Sequence, residues 1–191
     1  MKKIILILIL FLGSIINLGA ETKRIVLGNE NAKITIIAYE SLTCSHCANF
    51  HKDVYPKLKK DYIDTGLAKI EFRHFPLDIA AFNASKVSQC KIDQSLEILE
   101  SLYSNQQAWV KGNTVEEINN YLKKFLKEEG FKIDFEKCIN NKEIEDFVLN
   151  DRIDGAKKFK VNATPTIIIN NEKFEKSLNY KNLKKSLEKL I

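Results

Sequence analysis

The period of apolar positions changes several times along this chain. Ile34 to Tyr39 (Ile-Thr-Ile-Ile-Ala-Tyr) is a short β-branched run behind the turn cluster Gly28-Asn29-Glu30-Asn31, and predicts a buried strand. Arg24 to Leu27 predicts an edge strand ahead of it. From Cys47 onward Phe50, Val54, Leu58 and Tyr62 return every three to four residues, as one face of a helix does. Pro56 falls inside that pattern and has no N–H to offer the preceding turn, so a kink is expected there. Leu67 to Phe75 alternates as a second strand and stops at Pro76.

From Ile79 to Lys160 the period is helical. Thr114 and Glu117 form a capping box ahead of an apolar face made by Val115, Ile118, Tyr121, Leu122, Phe125 and Leu126, and Gly130 stops that helix. Asp134 opens a short helix carrying Cys138; another begins at Ile144, Phe147 and Val148 and runs towards Phe159. Strand character returns at Thr166-Ile167-Ile168-Ile169, followed by a turn at Asn170-Asn171 and a short strand at Lys173-Phe174. A last amphipathic helix carries Tyr180, Leu183, Leu187, Leu190 and Ile191. The order predicts an α/β fold: a β-α-β unit, then a helical insertion over residues 79–155, then a closing hairpin and helix. Residues 21–78 and 156–191 would form the α/β part.

The first twenty residues read as a separate segment. Lys2 and Lys3 precede an apolar run from Ile4 to Leu12, then Gly19-Ala20, which is the build of a secretory signal cleaved after Ala20. Leu18 is bulkier than that cleavage favours, so an uncleaved anchor stays open. Both readings export the folded part, to the periplasm. The formal charge of +5 is spread over solvated helix faces such as Lys123-Lys124-Lys127, which argues against nucleic acid as a partner.

Export changes how the four cysteines are read, because thiols outside the cytosol can stay oxidised. Only Cys44 and Cys47 are close in sequence, where the first buried strand gives way to the first helix. Two thiols separated by two residues in a first helical turn can close a disulfide with little backbone movement. At the helix N-terminus Cys44 meets free backbone N–H groups, which favour its thiolate. Cys47, one turn in, would be buried and stay a thiol. Cys44 is therefore the attacking and attacked sulfur, and Cys47 the resolving one. His46 offers an imidazole to stabilise the thiolate, and Ser45 a hydroxyl for the helix cap. The competing readings are a structural bridge, or a metal site built from Cys44 and Cys47 with His46 or His51. Thr164-Pro165 stands before an apolar strand, where a cis bond in a tight turn is one option and a plain helix stop the other. Trp109, Tyr103 and Phe82 read as core of the insertion, and His74 as a strand-end histidine.

Glu40-Ser41-Leu42-Thr43-Cys44-Ser45-His46-Cys47, Phe75-Pro76-Leu77 and Ala163-Thr164-Pro165-Thr166 together resemble the DsbA-type thiol–disulfide oxidoreductases, in particular their alphaproteobacterial versions. The resemblance spans nearly all of the chain after residue 20. It implies a thioredoxin fold with an inserted helical domain, and a cis-proline loop in which Thr164 and Pro165 present backbone to a substrate beside Cys44. It implies reduced or unfolded exported proteins as substrates, reoxidation by a membrane thiol oxidase of the DsbB type, and no cofactor; a monomer is expected. It also implies that Cys90 and Cys138 form a second, structural disulfide, with two buried free thiols as the alternative. The chain departs from the enteric pattern in having Ser45 between the cysteines in place of proline, and Ala38 where a buried glutamate stands six residues before the first cysteine. Glu40 is a substitute proton acceptor for Cys47, or else a surface carboxylate. Thr164 ahead of the proline also occurs in related isomerases, so a reductase or isomerase stays beside the oxidase. The short stretch before the first buried strand leaves no room for the isomerases' dimerisation domain.

Overall fold

A strand with both faces covered organises the molecule. In the computed structural model, which describes residues 22–191, β2 (Ile34–Glu40) sits in the middle of a five-stranded sheet and is buried along almost its whole length. It runs parallel to β3 (Ala68–His74), with Ile36 opposite Ile70. It runs antiparallel to β4 (Thr166–Ile169), with Ala38 opposite Ile167. β1 (Ile25–Gly28) and β5 (Glu172–Lys173) take the edges, in the order β1-β3-β2-β4-β5. The leader segment expected over residues 1–20 lies outside the described residues. No helix among the described residues is long and apolar enough to cross a membrane.

The turn between β4 and β5 follows from its sequence. Asn170 and Asn171 both adopt positive φ, 46° and 70°, which suits the primed turn of a tight hairpin. The Asn170 side chain also accepts the Thr35 N–H at 2.8 Å, tying the hairpin to β2.

The helix after the cysteine motif departs from a simple kinked rod. α1 (Ser45–Asn49) passes into a wide π-helical turn at Phe50–Val54, then α2 (Tyr55–Leu58), then a second wide turn at Lys59–Ile63. Pro56 cannot donate to the turn before it, and the backbone adjusts just upstream, at Val54 with φ −111°. The wide turn carries His51.

Between β3 and β4 the chain is helical: α3 (Ile79–Gln89), α4 (Ser95–Ser104), α5 (Gln106–Trp109), α6 (Val115–Glu128), α7 (Phe135–Ile139) and α8 (Lys142–Phe159). Trp109 and Tyr103 are buried core, as their pattern implied. Phe82 is only half-buried, its ring lying under the Lys86 ammonium at 4.6 Å. Thr114 caps α6 by accepting the Glu117 N–H. The return bond from the Glu117 carboxylate goes one residue earlier than a capping box requires, to the Asn113 N–H at 2.7 Å. α8 is continuous through residue 155, and Gly155 lets it lie against the sheet. A Cβ there would stand 2.7 Å from the Tyr39 ring. The closing helix α9 (Tyr180–Leu187) is shorter than its apolar pattern suggested. The Leu190 N–H folds back onto the Leu187 carbonyl in a tight turn, so Leu190 and Ile191 stay exposed.

Candidate active site

The carboxyl end of β2 delivers the chain to the cysteine pair, and a set of hydrogen bonds holds the turn in between. The Phe75 N–H donates to the Glu40 carbonyl at 2.7 Å, and the Leu77 N–H to the Ser41 hydroxyl. Thr43 donates its hydroxyl to Asp78 at 2.6 Å, while the other oxygen of Asp78 caps α3 through the Ala81 N–H. From the insertion, the Gln106 side-chain amide donates to both the Leu42 and Cys44 carbonyls, at 2.7 and 3.1 Å. The turn is thus pinned from β3, α3 and α5 at once, and such support fixes the position of a reacting sulfur.

Cys44 occupies the N-cap position of α1 itself. Ser45 is therefore the first helical residue, exposed and not a cap, which corrects the role expected for its hydroxyl. Cys47 lies one turn further on, fully buried. Both thiols are free. The environment separates them strongly. The Cys44 thiol is lowered to about 5, first because the Cys47 thiol donates to it; burial opposes this, and the Thr164 hydroxyl and the backbone N–H groups of Cys47 and His46 add to it. Cys47 is pushed far above the usual thiol range by burial, by that same hydrogen bond, and by the negative charge of Glu40. One cysteine is thus a ready thiolate near neutral pH and its neighbour a locked thiol, the asymmetry that thiol–disulfide exchange uses.

The peptide bond between Thr164 and Pro165 is cis. It brings the Thr164 carbonyl to 3.3 Å from the Cys44 sulfur, which donates to it when protonated. A cleft of about 520 Å³ opens beside this pair, bounded by His46, Phe50, Asp53, Thr164, Pro165 and Leu178. The imidazole of His46 lines that cleft and is exposed, and it is this residue's backbone N–H that supports the thiolate.

Two expectations about nearby polar groups resolve differently. Glu40 is not a surface carboxylate: it is 3% exposed, and His51 Nε2 lies 2.8 Å from its carboxylate. With His51 engaged there and His46 at the surface, the metal-ligand set with Cys44 and Cys47 does not assemble. Among the described residues no group of three or more His, Cys, Asp or Glu side chains is placed to hold a metal. His74 is the buried last residue of β3, 2.9 Å from the Gln89 amide and lowered to about 4 by burial, so it stays neutral inside the fold. Cys90 and Cys138 are joined by a disulfide that links the end of α3 to α7.

The sequence reading missed Gln106 and Asp78. Neither carries a local signal, since each acts on a loop more than thirty residues away. The sequence names His51 only as a metal-ligand candidate; its pairing with Glu40, eleven residues back on β2, carries no local signal.

A β-α-β core whose first helix opens on two unequal cysteines, facing a cis-proline loop, defines a dithiol protein of the thioredoxin fold. The sequence profile of the family described as Thioredoxin matches residues 20–189. The chain belongs to that family, as a DsbA-type member with a helical insertion. The solved structure of alpha-DsbA1 from Wolbachia pipientis is similar at 31% identity, over 91% of this chain and 93% of that one, with a TM-score of 0.76. Oxidised BdbD from Bacillus subtilis is similar at 25% identity, over 90% and 98% of the two chains, with a TM-score of 0.71. A curated relative from Rickettsia prowazekii (strain Madrid E), whose name describes a protein-disulfide oxidoreductase, is 26% identical over 90% of this chain. The chain spans 62% of that relative's length.

Proposed function

We propose that this chain is an exported thiol–disulfide oxidoreductase that introduces disulfides into exported proteins through Cys44-Ser45-His46-Cys47. The observation that carries the reading is the contrast between the two thiols: Cys44 low and against Thr164 of the cleft wall, Cys47 high and buried. A substrate thiolate attacks Cys44 Sγ of the oxidised pair. The Cys44–Cys47 bond breaks, its electrons go to Cys47 Sγ, and Cys47 takes up a proton. A second substrate thiolate then attacks the substrate sulfur of the mixed disulfide and expels Cys44 as a thiolate. Because that leaving group is stabilised, the pair gives its disulfide away readily.

Thr164 and Pro165 receive the substrate's extended backbone beside Cys44, and the cleft next to His46 takes the flanking side chains. Residues 21–78 and 156–191 form the thioredoxin-like domain and 79–155 the insertion. The Cys90–Cys138 bridge is structural. Substrates are reduced or unfolded proteins outside the cytosol, in the periplasm once the leader has directed export. A membrane thiol oxidase of the DsbB type accepts the electrons from a monomeric enzyme.

The test is the Cys44–Cys47 reduction potential, read by equilibrating purified protein with glutathione buffers and trapping the thiols. A pair well above the glutathione couple is expected. A pair well below it would make the protein a reductase.

A further inference from the structure

The cleft beside Cys44 has a single carboxylate in its lining, that of Asp53. Asp53 lies in the wide turn that continues α1 and shares one wall with His46 and Phe50, positions that return every three to four residues along one helix face. Thr164 and Pro165 ahead of β4, and Leu178 ahead of α9, close the cleft from the other elements. Asp53 is exposed, and it makes no ion pair among the described residues. In a chain with 30 Lys and Arg against 25 Asp and Glu, that sets it apart. Other acids near the surface are held: Asp64 by Lys59 at 2.6 Å, Glu145 by Lys142 at 2.8 Å and Asp154 by Lys158 at 2.9 Å. No lysine or arginine lines the cleft.

We propose that Asp53 selects substrates that carry a lysine or arginine a few residues from the reacting cysteine, on one flank only. The proposal rests on the thiol-exchange reading above and names the substrate chemistry that reading leaves open. Asp53 follows Cys44 by nine residues of helical chain, a rise of about 13 Å at about 1.5 Å per residue. An extended substrate seated on Thr164 advances about 3.3 Å per residue. About the fourth residue from its cysteine therefore draws level with Asp53, and a long basic side chain spreads the reach over about the third to the fifth. The aliphatic stem of that side chain lies against Phe50, Pro165 and Leu178, and its charged end meets the carboxylate. Because the cleft leaves Cys44 along α1, one flank of the cysteine enters it and the other does not. The groups that chiefly set the Cys44 thiol do not include Asp53, so its charge acts on the substrate and not on the reacting sulfur.

The test mixes reduced full-length protein with uncharged peptides whose single cysteine is capped by thionitrobenzoate. Cys44 Sγ attacks the peptide sulfur, the bond to the cap breaks, and its electron pair leaves on the coloured thionitrobenzoate thiolate. Cys47 then loses its proton to solvent, closes on Cys44 Sγ and expels the peptide as a thiolate. One lysine or one glutamate is placed in turn at each position on either flank, and the rate constants of the two peptides are compared. An exposed ion pair changes a rate by about threefold, and repulsion of a glutamate does the same in the other direction. The lysine peptide is therefore expected to lead by about tenfold at about the third to fifth residue on one flank. The Cys44 thiolate draws lysine on both flanks alike, so the difference between flanks isolates Asp53. In Asp53→Asn the one-sided peak should vanish, in Asp53→Lys it should turn to favour glutamate, and high salt should flatten it in the wild type. Equal ratios on the two flanks of the wild-type protein would overturn the proposal. So would a one-sided peak that survives in Asp53→Asn, since another group would then be its source. A native protein that releases no coloured thiolate from any peptide would overturn the exchange reading along with it.

Discussion

The molecule contains two pairs of cysteines, and their surroundings make opposite use of the same bond. Cys90 and Cys138 stand 48 residues apart, one at the end of α3 and one in α7, and are closed. Around them the packing is apolar, with Cys138 in the main core. Lys86 donates to the Ile139 carbonyl at 2.6 Å, making a further tie between the same two helices. Cys44 and Cys47 are one helical turn apart and open, and most of the polar donors around them are aimed at the Cys44 sulfur. A disulfide across a long loop chiefly removes freedom from the unfolded chain. A short one next to donors chiefly sets which thiol prefers to be charged. Position in the fold, not cysteine chemistry, separates the closed pair from the open and unequal one.

The largest effect should come from removing the staple. For a 48-residue separation the loop-closure argument gives about 4 kcal/mol as an upper bound for the loss in Cys90→Ala/Cys138→Ala. Denaturant unfolding, compared at the same redox state of Cys44 and Cys47, reads it directly. Midpoints that coincide would mean the bridge spans parts already held together by packing, and the contrast between the pairs would lose its stability half.

The next effect belongs to the other pair and depends on pH. Cys44 is depressed in the folded protein, so its thiolate stabilises the reduced fold fully above the unfolded thiol's range. That contribution shrinks as pH falls through the interval between the ordinary thiol value and about 5, and is gone below it. Alkylation of the reduced protein by iodoacetamide should follow the same thiolate, with one midpoint near 5 and one adduct per native chain. Cys47 should react only after unfolding. Two adducts forming together on the native protein would abolish the asymmetry on which the exchange reading stands.

What could be read ahead of the structure tracks how local each cause is. The cysteine turn was legible because strand, C-x-x-C and helix follow one another within a dozen residues, and Thr166–Ile169 because β-branched residues crowd a short run. The capping of α6 was half legible: the Thr114 bond was where the spacing put it, but the return bond from Glu117 reached Asn113 instead. The wide turns on either side of α2 were not, since Pro56 announces a distortion without saying how the backbone will absorb it. Least legible were contacts that exist only after folding. Asp151 is 1% exposed, yet it is satisfied by Arg24, just before β1, at 3.0 Å and by the His74 N–H, at the end of β3, at 3.2 Å. Periodicity placed Asp151 on a helix and could say nothing of those partners. The burial of Glu40 was hidden for the same reason: a glutamate at a strand end looks solvated until the helix carrying His51 covers it.

The smallest effect, and the finest probe of the contrast, is at Thr164. Its carbonyl and its hydroxyl favour opposite states of the Cys44 sulfur: the carbonyl accepts from the thiol, while the hydroxyl, buried and with no other partner among the described residues, favours the thiolate. Thr164→Val keeps the β-branched shape and the carbonyl and deletes only the donor. A hydrogen bond to a charged group is worth about 1.5–3 kcal/mol when well shielded. Cys44 is half-exposed and keeps its other donors, so the alkylation midpoint should rise by about one unit, the equivalent of about 1.4 kcal/mol. Unfolding of the oxidised form should barely respond, because no thiolate is present to be stabilised there. A midpoint that stays put would assign the low Cys44 value to the Cys47 thiol and the helix N–H groups alone, leaving the cis-proline loop a role in holding substrate but none in setting the charge.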